Sequence, residues 1–212
     1  MIRIAACIML FVLAIGHAGA GSRQAGQFDY YVLALSWSPS WCALEGDARN
    51  ADQCDSRHDY GFTLHGLWPQ YETGWPSFCA TAERPPSRQM TREMTDIMGS
   101  GGLAWHQWDK HGRCSGLSAA EYYDLSRQAY GTIERPQVFR KLLKPLEFPA
   151  TVVEEAFLKS NPALSADMIS VTCERGWFKE VRICLNEDLT PRACGSDVAR
   201  DCRQRVIFPP VR

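Results

Sequence analysis

Apolar and polar residues along the chain are arranged in blocks that predict strands near both ends and helices in the middle. Residues 28–37 are rich in aromatic and β-branched side chains and predict a buried strand, and residues 176–185 alternate well enough to predict another. Between them, residues 62–67 form a short apolar stretch that contains one histidine. Amphipathic spacing predicts helices over residues 91–98, 118–130, 136–143 and 151–159.

Local signals indicate where some of these elements begin and end. Ser118, with Glu121 three residues later, forms a capping box, which predicts the start of a helix. The Gly-Ser-Gly-Gly run at residues 99–102 is expected to end the helix at residues 91–98. Because no repeat or linker divides the chain, residues 21–212 are expected to form one α+β domain, with helices grouped between strands.

The start of the chain has the features of a secretory signal. Arg3 supplies a positive charge, residues 4–15 form an unbroken apolar run, and a small-x-small pattern ends at Ala20. The run is too short to span a bilayer core of roughly 30 Å. We therefore expect residues 1–20 to be a signal peptide, no membrane insertion elsewhere, and a mature protein in the periplasm or outside the cell.

Composition and charge narrow the functional classes. The chain has 212 residues, of which 45% are hydrophobic and 22% charged, which is ordinary for a globular protein and unlike a disordered, collagen-like or coiled-coil chain. Its net charge of −1 gives no overall field that would attract a nucleic acid. A polyanion would have to be held by a local cluster of positive groups, which argues against a protein that passively coats DNA.

The cysteine count agrees with export. The chain has nine cysteines, and removal of Cys7 with the signal peptide leaves an even number. In an exported chain an even number predicts disulfides, although spacing alone does not choose among the possible pairings. Zinc binding is the alternative, but the sequence contains no Cys-x-x-Cys pair.

Three histidines lie in two unusual segments, at residues 62–70 and 105–114. His106 and His111 are five residues apart, so on one continuous helix they would point about 140° apart, which disfavours a metal site. A serine or cysteine nucleophile site lacks its usual surroundings. Two histidines beside Lys110 suit phosphodiester cleavage without a metal, since one takes a proton from the attacking hydroxyl and the other gives one to the leaving oxygen.

The two segments resemble the active-site signatures of the ribonuclease T2 family, which read Phe-x-[Ile/Leu]-His-Gly-Leu-Trp-Pro and His-Glu-Trp-x-Lys-His-Gly-x-Cys. Here they stand as FTLHGLWPQ at residues 62–70 and HQWDKHGRCSG at residues 106–116. LALSWSPSWC at residues 33–42 is similar to the family's first strand and the cysteine after it. The resemblance covers essentially the whole mature chain, is strongest to the bacterial exported branch, and implies a central antiparallel sheet flanked by helices and stabilised by disulfides.

The resemblance also implies roles for individual residues. His111 would be the general base on the ribose 2′-hydroxyl, His65 the general acid on the leaving 5′-oxygen, and His106 and Lys110 the phosphate ligands. Gln107, which stands where the family usually has glutamate, would assist them. A base would stack on Trp68, and Gln70 would touch its edge. Neither His65 nor His111 is expected to fill a core. The implied disulfides are Cys42–Cys54, Cys79–Cys114, Cys173–Cys202 and Cys184–Cys194, of which the last two are open to exchange of partners.

The expected activity is therefore that of an exported, metal-independent endoribonuclease acting on single-stranded RNA. It would form 2′,3′-cyclic phosphates and then 3′-phosphates, with low base specificity and no cofactor. DNA would not be cleaved, because the 2′-hydroxyl is the nucleophile. We expect a monomer. An RNA-binding homologue with little or no turnover, and a metal-dependent phosphodiesterase, are the alternatives.

Overall fold

The structure is a computed structural model that describes residues 24–212. The predicted signal peptide, residues 1–20, lies outside the described residues. In chain order the strands are β1 (Tyr30–Trp37), β2 (Phe62–Gln70), β3 (Leu146–Pro149), β4 (Ile169–Glu174), β5 (Trp177–Leu185) and β6 (Arg205–Phe208), and the α-helices are α1 (Ser38–Trp41), α2 (Arg88–Glu93), α3 (Thr95–Met98), α4 (Gly101–Lys110), α5 (Ala119–Thr132) and α6 (Thr151–Ser160).

The strands of the described chain form one sheet in the order β2-β1-β5-β6-β3, and β4 also pairs with β5. The central pairs β2–β1, β1–β5 and β4–β5 are antiparallel, as expected. The exception is a single parallel bridge between β5 and β6, at Trp177 and Ile207, so the sheet is mixed at one side.

Strand β1 is buried on both faces, which explains its unbroken apolar character. Leu33, Leu35 and Trp37 pack into the main core, where helices and other strands contribute further aromatic rings. Because side chains alternate along a strand, Val32, Ala34 and Ser36 project from the opposite face. That face carries the cavity described below, and its small side chains leave room above the sheet.

Two helix predictions need correction. Residues 136–143 form only a short 3₁₀ turn, Gln137–Lys141, since Pro136 precedes it and Pro145 follows; its Phe139 is buried in the core. The helix expected at residues 91–98 is interrupted at Met94 and becomes α2 and α3. By contrast, α5 begins with the predicted capping box at Ser118, and α6 lies where predicted.

Helix α4 was not predicted, although it carries much of the candidate site. It begins inside the glycine run that was expected only to stop a helix. Ser100 makes this possible, because its side chain accepts a hydrogen bond from the backbone N–H of Leu103 and caps the new helix. Strands β3, β4 and β6 were likewise not predicted.

The described chain has four disulfides, which join Cys42–Cys54, Cys79–Cys114, Cys173–Cys202 and Cys184–Cys194. These are the pairs that the resemblance implied. The Cys79–Cys114 bridge ties the long loop after β2 to the segment that follows α4. Between residues 24 and 212, every helix is too short or too polar to cross a lipid bilayer.

Candidate active site

His65 lies at a bulge in β2. Ala34 of β1 pairs with Gly66, and the next β1 residue, Leu35, pairs with Leu64, so His65 is the extra residue between two register positions. A bulge bends a strand and redirects a side chain, and such bulges are common beside functional sites. Here the imidazole is half-exposed and lines a cavity on the face of the sheet opposite the main core.

Helix α4 and the residue after it supply the groups opposite His65. His106 and Lys110 are four residues apart and therefore share one face of the helix. The helix ends at Lys110, and His111 has left helical geometry, with φ −120° and ψ −49°. The angular separation expected for His106 and His111 on one continuous helix therefore does not apply.

The cavity has a volume of about 280 Å³ and contains all the residues that the sequence singled out for catalysis and base contact. They are His65, Trp68, Gln70, His106, Gln107, Lys110 and His111. Residues from β1, from the loop after β2, from β5 and from the loop before β6 complete the lining, among them Lys179, Glu180, Arg182 and Asp197.

Two neighbouring tyrosines of α5 hold the two site segments in place. The buried Tyr122 hydroxyl donates a hydrogen bond of 2.9 Å to the carbonyl of Leu67 in β2. The buried Tyr123 hydroxyl donates one of 2.9 Å to the carbonyl of Ala104 in α4. Helix α5 thus fixes the distance between the strand that carries His65 and the helix that carries Lys110.

Trp68 and Gln107 form a part-buried hydrogen bond within the cavity lining. The indole Nε1–H of Trp68 donates to Oε1 of Gln107 at 2.7 Å, and Gln107 is only 2% exposed. Gly66 permits this approach, because a Cβ atom there would lie 2.3 Å from both the indole nitrogen and the amide oxygen. Gln107 therefore acts on the position of Trp68, a contact that the sequence did not suggest.

The Trp68 ring already has neighbours. His111 stacks on it, with ring centroids 5.3 Å apart and an interplanar angle of 27°, and the Arg182 guanidinium lies 5.5 Å from its centroid. A base that stacks on Trp68 must share the ring with these groups or displace the guanidinium. Stacking on Trp68 stays a prediction.

His111 is buried, contrary to the expectation that it fills no core. It is 5% exposed, and its Nδ1 has no hydrogen-bond partner among the described residues. Burial, together with the charges of Lys110, His65 and His106, lowers the pKa of His111 from 6.5 to about 3. His111 is therefore neutral at neutral pH, as a general base must be.

The sequence missed two groups on β5. The fully buried Glu180 accepts a hydrogen bond from Nδ1 of His65 at 2.8 Å, and Arg182 donates to its other oxygen from Nε and Nη2. Burial raises the pKa of Glu180, but the hydrogen bonds and charges of His65 and Arg182 outweigh burial and lower it to about 2. In the sequence these residues look like the polar face of an ordinary alternating strand, so no signal marked them.

The described residues contain no group of three or more His, Cys, Asp or Glu side chains placed to hold a metal ion. The cavity instead brings together one neutral buried histidine, one histidine bonded to a carboxylate, and a lysine. These groups can take a proton, give a proton and hold an anion.

Comparisons with known proteins agree with this geometry. The model of the ribonuclease T2 family matches residues 28–194. A ribonuclease of Aeromonas hydrophila is 34% identical over 189 residues, covering 82% of this chain and 79% of that protein. Ribonuclease DdI of Dictyostelium discoideum is 32% identical over 210 residues, covering 89% and 87%. Among solved structures, an RNase-related protein from Calystegia sepium shares the fold with a TM-score of 0.67 at 23% identity, over 86% of this chain and 98% of that one. The chain therefore belongs to the ribonuclease T2 family of enzymes.

Proposed function

We propose that the protein is an exported endoribonuclease that cleaves single-stranded RNA through the ribose 2′-hydroxyl. The first step forms a 2′,3′-cyclic phosphate, and water then opens it to a 3′-phosphate. Low base specificity is part of the proposal. The observation that carries it is the presence of two unlike histidines on one cavity, His111 buried and neutral and His65 bonded to a carboxylate.

His111 takes the proton of the 2′-hydroxyl, and His65 gives a proton to the departing 5′-oxygen. His106 and Lys110 hold the non-bridging oxygens of the phosphate, on which negative charge builds up in the transition state. Burial and the neighbouring positive groups lower the pKa of His111. A bound phosphodiester brings a compensating negative charge, so His111 becomes a stronger base when substrate is present.

The test is incubation of the purified mature protein with a single-stranded homopolymer in EDTA, followed by ³¹P NMR of the products. We expect cleavage and a transient cyclic phosphate. The matched control is the all-2′-deoxy form of the same homopolymer, which lacks the attacking hydroxyl at every position and is expected to remain intact. Intact RNA in the first assay would favour a binding protein, and activity that EDTA abolishes would favour a metal-dependent enzyme.

Replacement of either histidine tests the assigned roles. His65→Ala and His111→Gln are each expected to lower turnover at least about 10²-fold, in the range of a general acid or base. Gln is chosen at position 111 because alanine would leave a cavity beside Trp68. The control is His58→Gln, which changes an exposed histidine outside the cavity lining. A folded variant of either site histidine that kept about a tenth of wild-type activity would contradict its role.

A further inference from the structure

Glu180 is a buried carboxylate that the proposed chemistry does not yet use. It is 0% exposed, and a charge in such a place is costly unless cations and hydrogen bonds compensate it. Both of its oxygens face groups of the site. A buried ionised side chain held against a reactive histidine therefore needs an explanation beyond packing.

The two oxygens of Glu180 have different partners. Oε1 accepts hydrogen bonds from Nε and Nη2 of Arg182, at 2.9 and 2.7 Å. Oε2 lies 2.8 Å from Nδ1 of His65, and the Ser36 hydroxyl donates to it at 3.4 Å. An ionised carboxylate can only accept, so the proton between Glu180 and His65 must be on Nδ1. The second nitrogen of His65, Nε2, remains for the substrate.

We propose that Glu180 is a positioning residue, which fixes the ring of His65 with Nδ1 protonated and stabilises its cationic form so that Nε2 holds the proton given to the leaving group. This inference rests on the proposed function. Arg182 orients Glu180 in turn, because its two hydrogen bonds to Oε1 leave Oε2 to accept from His65.

The proton balance of the reaction follows from this arrangement. As the bond between phosphorus and the 5′-oxygen breaks, the proton on Nε2 of His65 moves to that oxygen. His65 becomes neutral, and its Nδ1 keeps its proton and its hydrogen bond to Glu180. In the second step, water attacks the cyclic phosphate and gives its proton to Nε2. His111 returns to the 2′-oxygen the proton that it took in the first step, so both histidines recover their starting states.

The sheet explains how residues on β2 and β5 meet although β1 lies between them. Strands two places apart are separated by about 10 Å. On β1, Ser36 pairs with Glu180 and Ala34 pairs with Arg182, so the intervening side chains are small. The bulge at His65 supplies the remaining reach. The Arg182 guanidinium, which lies over the Trp68 ring, is held from a second side.

Other titratable and charged groups line the same cavity as His65, and of these Arg182 is bonded to Glu180. They are His106, Lys110 and His111 from α4 and the residue after it, Lys179 and Arg182 from β5, and Asp197 from the loop before β6. The neutral amide of Glu180→Gln is a weaker acceptor for Nδ1–H than the carboxylate, so the loss should fall on the step in which His65 gives a proton.

The experiment compares two substrates that differ only in the leaving group. One is a dinucleotide, whose 5′-alkoxide needs a proton to depart, and the other is a nucleoside 3′-(4-nitrophenyl phosphate), whose phenolate departs without one. Wild type, Glu180→Gln and the control Glu187→Gln, which alters an exposed residue just after β5, are assayed on both across pH. We expect Glu180→Gln to lose at least about 10-fold on the dinucleotide and less than about 3-fold on the aryl ester, within the range known for general acids.

The outcomes separate the possible readings. Equal losses on both substrates would mean that Glu180 only maintains the fold of the site, and no loss on either would mean that it does not act on His65; each overturns the inference. If Glu180→Gln does not fold, Glu180→Asp, which keeps the charge and withdraws it from Nδ1, provides the same comparison. A wild-type protein that makes no cyclic phosphate would instead refute the proposed function, independently of Glu180.

Discussion

The buried His111 should make the protein lose stability as the pH falls. In the unfolded chain this histidine binds a proton near its ordinary pKa of 6.5, whereas burial and nearby positive charges lower the pKa in the folded protein to about 3. Between these two values the unfolded state binds more protons than the folded state. The contribution of neutral His111 to the free energy of unfolding is therefore fully present above pH 6.5 and is lost progressively as the pH falls toward 3.

The size of the effect follows from the shift. A change from 6.5 to about 3 is roughly 3.5 pKa units, at about 1.36 kcal/mol each, so the whole loss is about 5 kcal/mol. At pH 4.5 the unfolded chain is protonated by about two pKa units more than the folded protein, and the expected loss of stability relative to neutral pH is about 3 kcal/mol. That is a large part of the 5–15 kcal/mol of stability typical of a domain, taken as a rough range.

The assay is guanidinium unfolding of the disulfide-intact protein at pH 7.5 and 4.5. The variant His111→Leu removes the titrating group and the unpartnered Nδ1 and keeps most of the volume. We expect the free energy of unfolding to fall by about 3 kcal/mol more in wild type than in this variant between the two pH values. The control His58→Leu, at an exposed position, should follow wild type.

Equal pH dependence in wild type and His111→Leu would refute the reasoning, since it would mean that His111 is not kept neutral by its surroundings. The same titration should appear in catalysis. In the pH profile of kcat/KM, which reflects the free enzyme, the acid limb should lie well below pH 6.5. In the pH profile of kcat, the acid limb should lie at higher pH, because bound phosphate favours the charged form of His111.

Three further predictions concern contacts around the cavity. Gly66→Ala places a Cβ against the hydrogen bond between Trp68 and Gln107, so we expect at least about 10-fold lower kcat/KM and a changed near-ultraviolet circular dichroism spectrum. If both kcat/KM and the spectrum were unchanged, the contact would be contradicted. Gln107→Glu can still accept from Trp68 and adds a negative charge near His111, so the acid limb of the kcat/KM profile should move to higher pH by up to about one unit. An unmoved limb in an active variant would show that position 107 is not coupled to His111. Replacing both Cys79 and Cys114 by serine removes a disulfide that closes a loop of 35 residues, and it should lower the free energy of unfolding, measured by denaturant titration, by about 4 kcal/mol. A loss under about 1 kcal/mol would contradict the estimate.

The sequence identified the residues that line the candidate site but not the residues that hold them in position. His65, His106, Lys110 and His111 stand in two short segments of distinctive composition, and the cavity contains all four. Glu180 lies far from both segments, on a strand whose alternation is typical of any half-buried strand. Its contact with His65 depends on the pairing of β5 with β1, which is known only from the sheet register.

The secondary-structure predictions succeeded where local signals were strong. The capping box at Ser118 marks a helix whose geometry is decided within four residues, and that helix was predicted correctly. Helix α4 was missed because its first two residues are glycines, which have low helix propensity, and tertiary packing of Ala104 and Trp108 overrides that preference. Strands β3 and β6 have four residues each, so periodicity could not detect them.

Helix α5 supplies no residue to the cavity lining, yet it governs the shape of the cavity through Tyr122 and Tyr123. A single inserted residue between its start at Ser118 and these tyrosines would rotate both hydroxyls by about 100° around the helix axis. One event would then release both the strand that carries His65 and the helix that carries His106 and Lys110. The first turn of α5 should consequently tolerate substitutions on its solvent face but neither insertions nor deletions, and a length change there would abolish activity without altering any residue that lines the cavity.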